Sequence, residues 1–279
     1  ATDTRASTRV PAALCGVVGL KPTFGAVPTR GVLPLSWTMD HVGQIARTVQ
    51  DAALLLSAVA SPACDWAPAV AGPTDCLRVG IPRAAFEALE DGVAAGVDDA
   101  LEGLERLGCA VADAARPTEA DLDATNVAAL LISRCEAAAF HRHLGTDRSL
   151  YWDEVADQLD AADGIAAVDY IDAQRLRADL QDAFAAVFED HDVLAMPTTP
   201  CVAPPSKDFA RYLLALSRNT SPWSLTGFPA LTVPCGTTGG LPFGLQLVAP
   251  PWHEGRLIAL GAALEGALAS PRSPIARAR

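Results

Sequence analysis

The chain has 279 residues, half of them apolar, and its mean hydropathy is +0.22, which excludes an intrinsically disordered chain. It carries 21 Lys and Arg against 33 Asp and Glu, and the net charge of −12 argues against nucleic acid or an anionic membrane as a direct partner. Its seven cysteines are odd in number and form no CxxC pair, which argues against a disulfide framework or a zinc site and favours the reducing cytoplasm.

The N-terminal residues 1–47 are rich in Gly, Pro and Thr, so we expect loops and short strands there. The apolar run at 10–20 resembles the core of a secretion signal, but Pro11 and the lack of a small-residue cleavage site argue against one. No apolar run is long enough to span a bilayer. Because the first residue is Ala and motif residues follow at once, we expect the chain to be cut at its N-terminus.

We expect one domain over 1–279, and the segments after residue 47 contain a single candidate for a subdomain boundary. Thr48 with Asp51 three residues later resembles a helix capping box and predicts a helix that begins there. Residues 62–73 are rich in Pro and Ala, and they predict a surface linker. We expect any subdomain boundary to lie in this linker.

A strand–helix–strand unit follows the linker. Residues 77–81 predict a strand, 93–107 a helix that ends at Gly108, and 109–111 a second strand. Parallel neighbouring strands need a crossover connection, usually a helix, because a short hairpin turn can join only antiparallel strands. We therefore expect a parallel crossover here.

The C-terminal half mixes helices with strands. Residues 118–190 are mostly helical, and one apolar face holds Leu176, Leu180, Phe184 and Val187. The remaining predicted elements are a strand at 193–196, a hairpin of strands 230–235 and 243–249 around Gly239 and Gly240, and a helix at 254–268. The predicted class is therefore α/β, with a mixed twisted β-sheet flanked by helices.

Most short catalytic motifs are absent. The chain has no GxSxG, SxxK, HExxH, P-loop or GxGxxG sequence. Among the five histidines, His141 and His143 lie two apart in a helical stretch, where they point to different faces. No metal site or classical triad is indicated, and we expect these histidines to be surface or capping residues.

One N-terminal segment carries a long and specific sequence motif. Residues 2–13 (TDTRASTRVPAA) and 15–23 (CGVVGLKPT) resemble the second half of the sequence signature of the amidase signature family. Further blocks of the chain match that family in order: 28–34, 39–43, 46–49, 197–200, 225–230 and 240–246. The resemblance covers nearly the whole chain and is loosest across 62–190.

The resemblance implies an amidase-signature fold and cleavage of C–N amide bonds through a Ser–cis-Ser–Lys arrangement. Ser7 occupies the position of the acylated nucleophile, and its hydroxyl needs a base to take its proton. The backbone N–H groups of Thr4, Arg5, Ala6 and Ser7 would then face the developing oxyanion. The family implies no metal and no organic cofactor.

Two features depart from the family pattern. Arg5 and Ala6 replace the two glycines that usually precede the nucleophile, where glycine permits torsions that other residues resist. The relay serine and the lysine base lie N-terminal to the nucleophile in the family, and this chain begins at Ala1. Its only lysines are Lys21, which we interpret as structural, and Lys207.

Several other residues are candidates for the site. We expect Asp3 and Arg9 to hold the nucleophile loop by charge-assisted hydrogen bonds. Candidates for lining the substrate pocket are Trp37, Asp40 and Trp223, for which a core or turn role is the alternative. Cys15 is expected to be a buried packing residue. Residues 151–154 are either a substrate lid or an exposed helix start.

The favoured hypothesis is an amidase that hydrolyses a small carboxamide in the cytoplasm through a serine acyl-enzyme. Its predicted partners are a small-molecule amide and, if it oligomerises, a second copy in a homodimer, without nucleic acid or membrane. One alternative is the amidase component of a tRNA-dependent amidotransferase, which passes ammonia to a partner protein. Another is a non-catalytic fragment or pseudoenzyme, suggested by Arg5 and Ala6 and by the lack of the lysine base.

Overall fold

The computed structural model describes residues 1–268, and the last part of the predicted domain, 269–279, lies outside the described residues. Within 1–268 there are nine strands: β1 (Thr2–Asp3), β2 (Val18–Lys21), β3 (His41–Val42), β4 (Gln44–Ala46), β5 (Arg78–Pro82), β6 (Ala110–Ala114), β7 (Val193–Pro197), β8 (Ala230–Thr238) and β9 (Leu241–Val248).

The same residues form nine α-helices: α1 (Arg9–Cys15), α2 (Val49–Val59), α3 (Asp91–Arg106), α4 (Glu119–Leu144), α5 (Asp153–Asp160), α6 (Ala167–Val187), α7 (Phe209–Ser217), α8 (Ser221–Leu225) and α9 (Glu254–Leu268). Short 3-10 turns lie at Ala67–Ala71, Arg83–Phe86, Arg148–Leu150, Ala161–Gly164 and Ser206–Asp208. None of the helices within 1–268 combines the length and apolar character needed to cross a bilayer.

The main sheet has seven strands in the order β4-β2-β8-β9-β7-β5-β6. Strand β5 is parallel to both β6 and β7, whereas the other neighbours are antiparallel. The predicted parallel crossover through α3 is therefore confirmed, and so is the α/β class with a mixed sheet. Strands β1 and β3 form a separate two-stranded sheet, in which Asp3 pairs with His41.

The predicted hairpin is confirmed and is longer than the sequence indicated. Strands β8 and β9 pair from Ala230 opposite Val248 to Thr238 opposite Leu241. Gly239 and Gly240 form the two-residue turn with φ of 58° and 80°. A two-residue turn with both φ positive matches the twist of its strands, and glycine adopts these angles without steric cost.

Helix α1 departs from the expectation of loops and short strands in residues 1–47, which rested on their content of Gly, Pro and Thr. Pro11 is the third residue of α1, and in a first turn the missing N–H has no helical acceptor to lose. Gly16 ends the helix with φ 66°, and its N–H donates to the carbonyls of Ala12 and Ala13. The prediction that Cys15 is buried is wrong, since Cys15 is exposed at the end of this helix.

Helices cover both faces of the main sheet. Neighbouring strand residues alternate between the two faces, so Val193 packs into one apolar cluster and Leu194 into the other. Helices α2, α3 and α9 pack in the first cluster, and α4, α6 and α8 in the second. The predicted apolar face of α6 is confirmed, because Leu180 and Phe184 are buried in that second cluster.

The predicted linker at 62–73 lies against the core. Trp66, Ala69 and Val70 pack on the first apolar cluster, and the turn that holds them contacts α9. A subdomain boundary in this segment stays a prediction. Farther along the chain, residues 151–154 include the start of α5 at Asp153, and Trp152 before it is exposed.

Candidate active site

Ser7 lies in the turn that joins β1 to α1. Its side chain is exposed, whereas the following residues, Thr8 and Arg9, are buried. The strand before the turn is fixed by pairing with β3, and the helix after it packs on β2 and β9. Ser7 is thus an accessible hydroxyl on a short turn between two anchored elements.

A buried ion pair closes this turn. The Nε and Nη2 atoms of Arg9 donate to Oδ2 and Oδ1 of Asp3 at 3.0 Å each, and neither side chain is exposed. The N–H of Thr8 also donates to Asp3 Oδ2, at 3.2 Å. Burial alone would raise the pKa of Asp3, but the charge and hydrogen bonds of Arg9 outweigh it and lower the pKa. Asp3 is therefore held as a carboxylate across the base of the turn.

Arg9 also binds two segments that are distant in sequence. Its Nη1 donates to the carbonyl of Thr220 and to Oε1 of Gln246, both at 2.8 Å. Its Nη2 donates to Oγ of Ser224 at 2.6 Å and to the carbonyl of Arg5 at 3.0 Å. The turn that carries Ser7 is therefore tied to α8 and β9. Sequence reasoning did not find these partners, although Gln246 ends one of the blocks that carry the family resemblance.

The turn accommodates Arg5 and Ala6 without glycine geometry. The non-glycine residues with positive φ in 1–268 are Cys76, Ala88 and Trp252, so neither Arg5 nor Ala6 is strained in this way. Within the described residues the backbone N–H groups of Arg5, Ala6 and Ser7 donate no hydrogen bond. Three donors beside an exposed hydroxyl are thus available to a developing negative charge.

Asp40 anchors a second loop against the turn. Its buried carboxylate accepts a 2.6 Å hydrogen bond from Thr4 Oγ1 on one oxygen. The other oxygen accepts from the N–H groups of Leu35 and Ser36, at 2.9 and 3.0 Å. Asp40 therefore connects the residue at the start of the turn with the loop around Trp37.

The two tryptophans lie in different environments. Trp37 is 48% exposed on its loop. Trp223 is fully buried, and its ring lies 5.3 Å from the ring of Phe184 and 6.2 Å from that of Phe228, between centroids. The structure thus brings Asp3, Arg9 and Asp40 together around the turn and places Trp223 in the core.

Glu136 of α4 supports the same loop and was not singled out from the sequence. Its carboxylate accepts from the hydroxyls of Ser36, Thr38 and Tyr170, at 2.6, 2.8 and 2.9 Å. Arg177 donates to the carbonyl of Thr38 at 2.6 Å. Since Glu136 is only 1% exposed, the loop that carries Trp37 is fixed to α4 and α6 by a buried carboxylate.

We expect the change Glu136→Gln to destabilise the protein by about 2–3 kcal/mol, because an amide cannot accept all the bonds that the buried carboxylate accepts. The free energy of unfolding in urea measures this. The control is Glu102→Gln, whose exposed side chain pairs with Arg106 on the same helix and should change stability by about 0.5 kcal/mol or less. Equal effects of the two changes would contradict the anchoring role of Glu136.

Lys21 is buried below the turn. Its Nζ donates to the carbonyls of Phe228 and Pro22, at 2.6 and 3.2 Å. Burial lowers the pKa of Lys21 well below its ordinary value, and the charge of Arg9 lowers it further. With its amine held by main-chain carbonyls, Lys21 fits the structural role expected of it.

Metal-binding side chains do not cluster in the part of the chain that the structure describes, 1–268. The seven cysteines, all within this part, are free thiols. Burial raises the pKa of the Cys109 and Cys201 thiols to about 11 each. These two thiols are therefore protonated at neutral pH and are poor nucleophiles there.

The sequence model of the Amidase family matches residues 1–258. Curated relatives include glutamyl-tRNA(Gln) amidotransferase subunits from two organisms. The one from Chloroflexus aggregans is 33% identical over 95% of this chain and 62% of its own length, and the one from Thermus thermophilus is 34% identical over 96% and 64%. This chain thus spans less than two thirds of the length of these relatives.

Solved structures of amidases and amidotransferase subunits share the fold of this chain. The fold is similar to that of a crystallised amidase, with a TM-score of 0.84 and 29% identity over 95% of this chain and 62% of that one. It is also similar to the corresponding glutamyl-tRNA(Gln) amidotransferase protein of Thermotoga maritima, with a TM-score of 0.80 and 27% identity over 95% and 61%.

These relatives correct one prediction from the sequence. We expected a small-molecule amide, with at most a second copy of the chain, as the partners. The curated relatives are named as one subunit of an amidotransferase for glutamyl-tRNA(Gln), and such a protein has partners beyond a small amide. The prediction of small-molecule partners alone is therefore wrong.

Proposed function

Because the chain belongs to the amidase family, we propose that it forms the serine-bearing part of an enzyme that cleaves an amide C–N bond. The supporting observation is the exposed Ser7 on a turn that is fixed by the buried Asp3–Arg9 pair and that presents unused backbone N–H groups. The catalytic assignment of Ser7 comes from its position in the family motif.

Ser7 takes part in both steps of the proposed reaction, because it is acylated in the first and released in the second. Its Oγ attacks the amide carbonyl and forms an ester, while the C–N bond breaks and the nitrogen leaves as ammonia or an amine. Water then attacks the ester, so the acid is released and the serine regains its proton. Backbone N–H groups of the turn, from Thr4 to Ser7, stabilise the oxyanion in both steps. The family resemblance assigns the proton transfers to a relay serine and a lysine N-terminal to the nucleophile.

We favour the amidase part of a tRNA-dependent amidotransferase, in which the released ammonia passes to a partner protein. The curated amidotransferase relatives support this function, at 32–34% identity. A free-standing amidase for small carboxamides is the second candidate, supported by the likeness to the crystallised amidase. The non-catalytic alternative loses one of its grounds, because Arg5 and Ala6 need no glycine torsions in the turn. A cytoplasmic location remains part of the proposal.

A partner dependence test separates the two enzymatic candidates. The extended protein, defined as residues 1–279 preceded by their upstream in-frame sequence, is assayed for ammonia release from a panel of primary amides. The assay is run alone and with the proteins that copurify with it. An amidotransferase component should gain rate when its partners are present, whereas a free-standing amidase should reach full rate without them.

Residues 1–279 alone should release ammonia about 10²–10⁴-fold more slowly than the extended protein, because loss of general-base assistance costs about that factor. Aryl and fatty amides are suitable substrates for this comparison, with sedimentation to verify that both proteins are monodisperse. Ordinary turnover by residues 1–279 would contradict the assignment of the base to an upstream segment. It would point to a base within the chain, such as Lys21 or a histidine.

A further inference from the structure

Helix α5 leaves much of its apolar face uncovered. Trp152 is the N-cap residue of this helix and lies three residues before Val155 and seven before Leu159, so the three side chains share one face. Leu159 is 6% exposed, because it packs with Ala137 and Ala138 of α4, whereas Trp152 is 81% exposed. One end of the apolar face is thus buried against α4, and the other end is open to solvent.

The turn before α5 enlarges this open apolar area. Leu150 is 75% exposed, so Leu150, Trp152 and Val155 place three exposed apolar side chains within six residues. Single apolar side chains are common on protein surfaces, whereas a contiguous apolar patch marks a contact site. Tryptophan is enriched at the centres of interfaces, because it buries a large apolar area on contact. We refer to these three side chains as the α5 surface.

The segment that carries the α5 surface is strongly acidic. With histidine neutral, residues 142–163 contain six carboxylates and two arginines, so this short segment carries −4 of the chain's net charge of −12. Both arginines are already paired, Arg148 with Asp160 and Arg142 with Asp163. The carboxylates of the segment that form no ion pair within residues 1–268 are Asp147, Asp153, Glu154 and Asp157. The α5 surface is therefore accompanied by uncompensated negative charge.

This charge determines which partner fits the α5 surface. An anionic membrane would be repelled, because its headgroups carry the same sign of charge. A second copy of the chain is disfavoured as well, because a two-fold interface brings the same acidic patch of both copies face to face. A protein segment with lysine or arginine around an apolar face would instead gain both apolar burial and electrostatic attraction.

A cavity next to the α5 surface offers room for a basic side chain. It measures about 300 Å³ and lies between α5 and the C-terminal end of α4. Tyr151 and Leu159 line it together with the carboxylates of Asp160 and Asp163. Each of these carboxylates already contacts one arginine, but a carboxylate has about four acceptor sites and can bind a second cation.

We propose that the α5 surface binds a basic amphipathic helix of a partner protein, with one lysine or arginine of that helix in the adjacent cavity. A helix suits this surface, because side chains at helical spacing on one helix interlock with those of another. The inference rests on the proposed function, because a component of an amidotransferase works with a partner protein.

The binding test uses two synthetic helical peptides, one of leucine and lysine and one of leucine and glutamate. In the extended protein, Trp152→Gln should raise the Kd for the leucine–lysine peptide by about 10–30-fold, the range for loss of an aromatic anchor. Glu154→Gln should raise this Kd in the same direction. The controls are Leu54→Gln, which changes an exposed leucine of α2, and Glu102→Gln, which changes an exposed carboxylate of α3. Both controls should leave the Kd unchanged.

Three outcomes overturn the proposal. One is equal affinity for the two peptides, and another is an unchanged Kd in Trp152→Gln, with thermal melts that show the variant folded. The third is another occupant of the surface. It would be recognised by self-association in sedimentation, or by binding to vesicles of phosphatidylcholine and phosphatidylglycerol, that is lost in Trp152→Gln.

A rate measurement connects the α5 surface with the proposed function. The Nε of Arg134 on α4 donates to Oε1 of Gln158 on α5 at 2.8 Å, and α4 also fixes the loop of Trp37 through Glu136. In the extended protein, Trp152→Gln should abolish the gain in ammonia release that copurifying proteins give and leave the rate of the protein alone unchanged. A gain that survives in Trp152→Gln overturns the proposal. If the unmodified protein gains no rate while peptide binding still depends on Trp152, the amidotransferase function fails and the binding surface stands.

Discussion

Replacement of Ser7 by alanine is expected to lower kcat of the extended protein for amide hydrolysis by about 10⁴–10⁶-fold, because removal of a serine nucleophile has effects of this size in other hydrolases. The loss should be complete for acyl-ester formation, since no other exposed hydroxyl lies on the turn between β1 and α1 near the free N–H groups. Stability should change little, because the Ser7 side chain is exposed.

Two measurements check this result. A fluorophosphonate probe should label the extended protein at Ser7 and leave Ser7→Ala unlabelled. The matched control is Ser206→Ala, which removes another exposed hydroxyl and should retain full rate and labelling. Undiminished turnover by Ser7→Ala would reject the nucleophile assignment.

The change Arg9→Met is expected to destabilise the protein by about 3–5 kcal/mol, because removal of one partner leaves the buried Asp3 carboxylate uncompensated. It also removes the bonds from Arg9 to Thr220, Ser224 and Gln246. The control is Arg83→Met, which breaks an exposed pair with Asp113 and should cost about 1 kcal/mol or less. Urea unfolding of both variants at pH 7 measures the difference, and similar losses would contradict the role of the buried pair.

In the Arg9→Met variant, the contribution of Asp3 to the pH dependence of the free energy of unfolding should change sign. In the unmodified protein the folded pKa of Asp3 is lowered, so its stabilising contribution is present above the unfolded pKa of about 4 and is lost as pH falls toward the folded pKa. In Arg9→Met, burial without the cation should raise the folded pKa above about 4, so stability should fall as pH rises through that range. Urea midpoints between pH 3 and 7 test this, relative to Arg83→Met.

Local signals in the sequence were sufficient for much of the fold. The glycine pair of the hairpin, the Thr48 cap, which accepts from the N–H of Asp51, and the apolar face of α6 each depend on residues a few positions apart. Helix α1 was missed because the Gly, Pro and Thr content of residues 1–47 predicted loops and short strands, without regard to the place of Pro11 in a first helical turn. Propensities describe a residue type, whereas the effect of proline depends on its position in the helix.

The long-range contacts that hold the candidate site in place could not be predicted from such local signals. Asp3 and Arg9 lie six residues apart, and the family motif drew attention to both. Glu136 accepts from residues about a hundred positions earlier, Ser36 and Thr38, and no local pattern marks such a pairing. For Trp223 the sequence left a pocket role and a core role open, and only three-dimensional packing against Phe184 and Phe228 places it in the core.

The contacts of Arg9 also constrain the order in which the protein folds. Its bonds to Thr220 and Gln246 span 211 and 237 positions, so they cannot form until the C-terminal strands have left the ribosome. Contacts across such long loops form late, because chain entropy must be lost before they contribute. The turn that carries Ser7 is synthesised before these segments, yet it would reach its final geometry among the last parts of the domain. A nascent chain would therefore not hold this turn in its final geometry until the domain is nearly complete.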